Sequence, residues 1–257
     1  MTQTERPILP ERQWSKQVIQ EYREHRNPNL TADIDIIWVI SGWTVYDPDL
    51  SPSFVNVAQN TIFESEDTEM INMGIDLAYE ITALRLSKPK TAVTKEEAKV
   101  HGPILLYNGN IDQNDNLRLA SQKSDFRLPS EKLRIEKLAD DREPKNNNTN
   151  KQFEKFPDEF LQGTRKMAIV SHLWHLSRIA RNPLAPSLIA QEPLWQDIEV
   201  VYFAADTPGN QLPHDQKSVH KRAIDIRRHV MDEGRKIYIY SQKGDLTQNP
   251  FLENINV

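Results

Sequence analysis

The sequence predicts an α/β fold: a central, mainly parallel sheet of about five strands with helices on both faces. Three observations lead there. Short apolar, β-branched runs alternate with longer segments of helical periodicity, the pattern of parallel strands joined by crossover helices. The first run, Ile34 to Ile40, is almost continuously apolar, as a central strand covered on both faces must be. Several runs end in small or polar residues (Ser41-Gly42, Asn108-Gly109-Asn110, Ser171-His172), and ligands bind at strand carboxyl ends in open α/β sheets.

Residues 1–33 read as an N-terminal helical extension and residues 34–257 as a single α/β domain. In the extension, Trp14, Val18 and Tyr22 are spaced to line one helix face up to about Arg26, and Asn27-Pro28 ends it. After the first strand, Trp43 to Glu66 is a long loop with Asp47-Pro48 and Ser51-Pro52. Asp67 is placed to cap a helix in which Met70, Ile71, Gly74, Leu77, Ala78 and Ile81 recur through about Leu86. Residues 87–101 are polar and Lys-rich and read as a connector.

The second strand is Pro103 to Tyr107, and the amide-rich stretch Asp112 to Asn116 opens a helix. Leu133 to Ile135 is a short third strand, and residues 139–150 are a polar surface loop or partly disordered. A helix is expected from Thr149 to Leu161. The fourth strand, Met167 to Val170, leads into a helix to about Arg181, stopped by Asn182-Pro183. Ile198 to Phe203 is the fifth strand. Val219, Ala223, Ile226 and Val230 mark a last amphipathic helix with Gly234 near its end. Residues 235–243 read either as a strand, from the alternation of Ile237 and Ile239, or as a terminal helix.

Hydrophobic residues make up 38% of the chain and charged ones 27%, enough apolar material for a sizeable core. No apolar run approaches the roughly 18–20 residues that span a bilayer, and the first residues do not read as a signal peptide. The absence of cysteine removes disulfides, thiolate metal sites and a cysteine nucleophile, and fits a cytoplasmic protein. A formal charge of −5 without a dense Lys/Arg cluster speaks against nucleic-acid binding.

The strongest chemical signal is Ser171, His172, His175 and Arg178. Positions 171, 175 and 178 share one helical face, so hydroxyl, imidazole and guanidinium can converge on one ligand. A helix start attracts anions, and Arg178 suits a phosphate or carboxylate. The bland alternative makes Arg178 a surface charge and His175 a packing residue. Asn108, Gly109, Asn110, Gln113 and Asn114 form an amide cluster able to read a polar ligand edge or simply to build a turn. Asn148 and Thr149 precede a helix, where capping is the ordinary role. Ser41 and Gly42 permit close backbone approach to a ligand. No third ligand stands out beside His172 and His175, so no metal site is expected. The Gly-x-Ser-x-Gly elbow, the P-loop and the dinucleotide fingerprint are absent.

In order and spacing, Ile37 to Gly42, Leu106 to Asn110, Asn148 to Asn150 and Ile169 to Arg178 resemble the YdcF-like family, a bacterial domain of unknown function that includes SanA and ElyC. The tail from Lys236 to Asp245 resembles that family's closing segment. The resemblance covers about residues 34–245. There are departures: Asn-Gly-Asn replaces Ser-Gly-Gly, Gln113 or Asn114 stands where a Glu is usual, and the Arg early in the first long helix has no counterpart around Asp67 to Asn72.

The resemblance implies a Rossmann-like three-layer fold with a pocket at the carboxyl edge. It also implies S-adenosylmethionine as a candidate ligand and an association with envelope biogenesis. The expected function is binding of a small anionic or nucleotide-like molecule, with His175, Arg178 and Ser171 as catalytic candidates. Ser41, Gly42, Asn108, Gly109, Asn110, Gln113, Asn148, Thr149 and His172 are the ligand-binding candidates. The rival is a non-catalytic regulatory protein whose 1–33 and 43–66 segments meet a protein partner.

Overall fold

At the centre lies β1 (Ile36–Ile40), whose five residues are all buried. Strand geometry sends successive side chains to opposite faces. Ile36, Trp38 and Ile40 enter one apolar cluster, and Ile37 and Val39 enter another. The computed structural model describes residues 11–40, 66–109, 111–137, 149–205 and 230–247. The loop expected from Trp43, the polar stretch before Thr149, and Val219, Ala223 and Ile226 lie outside the described residues.

β1 pairs with β2 (Ile104–Asn108) on one side and β4 (Lys166–Ser171) on the other. β3 (Leu133–Glu136) extends the sheet beyond β2, and β5 (Glu199–Ala204) extends it beyond β4. All four pairings are parallel and the strand order is β3-β2-β1-β4-β5. The chain therefore winds outward from β1 in one direction, then returns to wind outward in the other. The switch point lies between β1 and β4, where such sheets open a ligand crevice.

One face is covered by α2 (Glu66–Leu86) and α4 (Ile111–Ser121), with Met70, Ile75, Ile81 and Leu117 buried against Ile37, Val39 and Leu105. Gly74 permits this approach: a Cβ there would sit 2.8 Å from Val39 Cγ2 and 3.0 Å from Leu105 Cδ1. The opposite face is covered by α5 (Thr149–Glu154), α6 (Asp158–Leu161), α7 (Leu173–Ile179) and α8 (Pro186–Gln191). At its heart Trp38 meets Phe153, Phe156 and Trp195, with ring centroids 4.8, 4.6 and 6.2 Å away. The result is the three-layer, Rossmann-like α/β arrangement that the sequence predicts.

Outside these layers, α1 (Glu11–Glu24) and the helix at residues 230–242, α9, pack on α7 through Trp14, Val18, Trp174, Val230 and Ile237. The N-terminal helix is thus part of the packed body. Its Glu21 meets Arg181 in an ion pair with both side chains at 0% exposure. Past α1, the Asn27 side chain accepts from Ala204 N at 2.8 Å and donates to Ala204 O at 3.2 Å, acting as a strand partner for β5.

Several expectations shift. Thr149 to Leu161 is two short helices, because Pro157 lacks the N–H needed to continue the first. Residues 235–243 belong mainly to α9, and Gly234 lies inside that helix, not near its end. It is glycine because a Cβ would lie 2.6–2.8 Å from Ser15 of α1. The 87–101 connector contains α3 (Lys95–His101), started by a complete Thr94–Glu97 capping box. Among the described residues no helix is long and apolar enough to cross a membrane.

The α3 start gives a pH prediction. Lys88 and the Thr94 cap hold the Glu97 carboxyl down at about 2, from an ordinary 4.5. A depressed acid contributes stability above its unfolded value, lost as pH falls from about 4.5 through about 2. Glu131, paired with Lys99 at 2.7 Å, is also held at about 2 and acts in the same window. Urea midpoints measured stepwise across that window should fall less steeply for Glu97→Gln than for the parent. Equal slopes would remove Glu97 from the acid response.

Candidate functional site

β4 ends in Ser171, which is fully buried, and His172 then caps the start of α7. The turn from strand to helix carries His175 back over the strand end, so that Ser171 Oγ lies 3.1 Å from His175 Nδ1. Ser171 Oγ also donates to Ile40 O at 2.9 Å, tying the carboxyl ends of β4 and β1 together. Ser171 and His175 therefore meet across the junction of a strand and a helix, not along one helix.

On the other side of the ring, His175 Nε2 lies 3.4 Å from Thr149 Oγ1. Thr149 stands at the head of α5, which is anchored one turn later by Phe153 against Trp38. Arg178, one turn beyond His175, donates from Nη1 to Thr149 Oγ1 and from Nε to Glu233 Oε2 at 2.6 Å. Arg178 Nη2 reaches Glu233 Oε1 at 3.4 Å, and Lys236 Nζ donates to that same oxygen at 3.0 Å. Glu233 enters from α9, one residue before Gly234, the close-approach position against α1. A continuous polar chain thus runs from Glu233 through Arg178, Thr149 and His175 to Ser171 and the Ile40 carbonyl. All five side chains are buried.

The guanidinium expected to hold a ligand's anion already has a carboxylate of the fold beside it. Removing two charges from water is costly, and a close pair with further hydrogen bonds offsets that cost. His172 is buried and stacks on Trp174 with centroids 5.9 Å apart, while Trp174 stacks on His175 at 5.3 Å. The backbone carbonyl of His172 accepts from His175 N and Leu176 N, closing the first turn of α7.

The amide cluster lies on the far side of β1. Asn108 ends β2 in register with Ile40 and with Glu136 of β3, and its side chain is buried. Gly109 N donates to Asn114 Oδ1 at 3.0 Å, and Asn114 Nδ2 donates to Glu136 O at 3.2 Å, so Asn114 ties β2 to β3. A Cβ on Gly109 would lie 2.9 Å from both Gln113 Cβ and Gln113 Oε1, so the glycine lets Gln113 lie against the strand end. Two strand spacings, about 10 Å, separate Asn108 on β2 from Ser171 on β4. Ser41, Gly42, Asn110 and Asn148 lie outside the described residues.

Ser171, His175, Arg178 and Thr149 are brought together, with Asn108 and Gln113 at the neighbouring strand end. Glu233 is the participant that sequence reasoning misses. Its local setting, Asp232-Glu233-Gly234-Arg235, reads as a charged helix end, and its partner Arg178 is 55 positions away. Comparison with protein-family models, curated proteins and solved structures finds no match for this chain.

Proposed function

We propose that this protein binds a small nucleotide-like molecule at the carboxyl edge of β1, β2 and β4, with S-adenosylmethionine the first candidate. The observation supporting this most strongly is the meeting of Ser171, His175, Thr149 and Arg178 beside the β1–β4 switch point. In this reading Asn108 and Gln113 hydrogen-bond the polar edge of a base. His175 meets a hydroxyl of the ligand, as donor, acceptor or proton carrier. Group transfer or phosphoester handling is the chemistry proposed for such a site, and the resemblance to the YdcF-like family points the same way. Because Arg178 already meets Glu233, a nucleoside moiety suits the site better than a bare phosphate. The same pairing favours a second reading: a regulatory protein on an enzyme-like fold, linked to envelope processes, whose polar chain is structural.

Thermal unfolding against S-adenosylmethionine, its demethylated product, nucleotides and sugar nucleotides separates the two. A ligand at a hundredfold excess over its Kd adds about 2.7 kcal/mol, or roughly 5–11 °C for a domain of this size. The proposal expects such a shift with at least one nucleoside-bearing compound, lost in His175→Ala. No shift with any compound favours the regulatory reading.

A further inference from the structure

We propose that Glu233 is a built-in competitor at Arg178: its carboxylate holds the place of an anionic oxygen pair on the ligand, and a carboxylate or phosphate from outside exchanges with it and loosens α9. The proposal rests on the reading of this edge as a ligand site and adds how that site is closed. Glu233 meets the guanidinium side-on, with Oε2 at 2.6 Å from Nε and Oε1 at 3.4 Å from Nη2. That is the two-oxygen fork by which arginine takes carboxylates and phosphates. The occupant comes neither from the sheet nor from its covering helices. It comes from α9, which lies outside the three layers and packs through Val230 and Ile237 against Trp14, Val18 and Trp174.

Charge and partners suit an exchange. Arg178 and Lys236 bring two positive charges to one fully buried carboxylate. The second acid at Lys236, Asp232, is 3.7 Å away and 51% exposed, where solvent weakens its pull. Each partner of the Arg178–Glu233 pair also has a second contact on its own side. Arg178 donates to Thr149, and Glu233 accepts from Lys236 one turn along α9. An incoming anion at Arg178 therefore strands neither group. Thr149 stays with the guanidinium and Lys236 with the displaced carboxylate, so no buried charge is left uncompensated. The Lys236 side chain is 38% exposed and that of Arg178 10%, so the way in from solvent runs along Lys236. Competition is reciprocal: an anion loosens α9 by the factor by which docked α9 weakens the anion.

The test uses the full-length chain, with inorganic phosphate and acetate as probes and chloride at matched ionic strength as the control. Two readouts are followed: the Arg178 Nε–H signal by NMR, assigned with Arg178→Lys, and amide exchange along α9 compared with β1. In the parent, at least one probe should shift the Nε–H signal and speed exchange in α9 but not in β1, with chloride inert; the probe that does so names the anion. Glu233→Gln, which removes the competing charge, should take that probe more tightly by roughly 5–150-fold, the usual span of such couplings. The parent measurement needs no variant and stays decisive if Glu233→Gln does not fold. The proposal is overturned if neither probe reaches Arg178, if chloride acts equally, or if α9 exchange is unchanged when the Nε–H signal moves. A folded Glu233→Gln that binds no more tightly than the parent also overturns it. If the exchange occurs while S-adenosylmethionine and nucleotides bind nowhere at this edge, the ligand reading fails and this assignment stands. Ligand binding at His175, with phosphate and acetate leaving Arg178 and α9 unmoved, overturns the assignment and leaves the ligand reading standing.

Discussion

Glu21→Ala is expected to lower the unfolding free energy by about 3–5 kcal/mol, the usual result of stripping one partner from a buried ion pair. At roughly 2–4 °C per kcal/mol for a domain of this size, the melting temperature falls by about 6–20 °C. Glu21 and Arg181 are both fully buried, joined by contacts of 2.5 and 3.2 Å. Arg181 also donates to Ser177 O and lies 5.0 Å over the Trp14 ring. Without Glu21 the guanidinium keeps those contacts but loses its only counter-charge among the described residues. Replacing both partners with apolar residues, as in Glu21→Leu with Arg181→Met, should recover most of the loss, since the desolvation cost disappears with the charges. Paired urea and thermal melts of the single and double variants check this. A single-variant loss below about 1 kcal/mol would mean that the pair is solvated and α1 loosely held.

Glu233→Ala is the second large effect, again about 3–5 kcal/mol. Here the stranded charge is Arg178, and the loss reaches the site. Without Glu233 the guanidinium is held, among the described residues, by Thr149 alone, and the segment from Thr149 to His175 loses its far anchor. Glu233→Gln keeps a hydrogen-bond acceptor and should cost less. Chemical denaturation of the two variants separates charge from packing. Equal, small losses would show that α9 is held by Ile237 and Val230 alone.

The sheet was legible because β1, β2, β4 and β5 are largely apolar runs, as buried parallel strands have to be, while the edge strand β3 alternates apolar and charged residues. Trp38 alternates with Ile37 and Val39 so completely that the two core faces can be read from β1 itself. His175 and Arg178 were legible because a three-residue spacing puts them on one face of α7, whereas Ser171 joins them from the end of β4 and not from that helix face. The differences lie at local capping and helix-breaking residues or where contacts are long-range. The Thr94–Glu97 box and Pro157 were both readable signals, for the start of α3 and the break between α5 and α6. Glu233 had no such signal. Its role comes from packing α9 on α1 and α7, and a single sequence does not state which surface helix a buried arginine will find.

The carboxyl edge around His175 is the proposed entry point for a ligand. Amide and side-chain NMR of the full-length protein, during titration with S-adenosylmethionine and then with nucleotides, tests this most directly. The expected perturbations concentrate at Thr149, Ser171 and His175 and reach Asn108 and Gln113 across β1. Perturbations confined to the depression of about 300 Å³ lined by Leu30, Glu80, Leu84 and Lys88, before β1 and along α2, would contradict it.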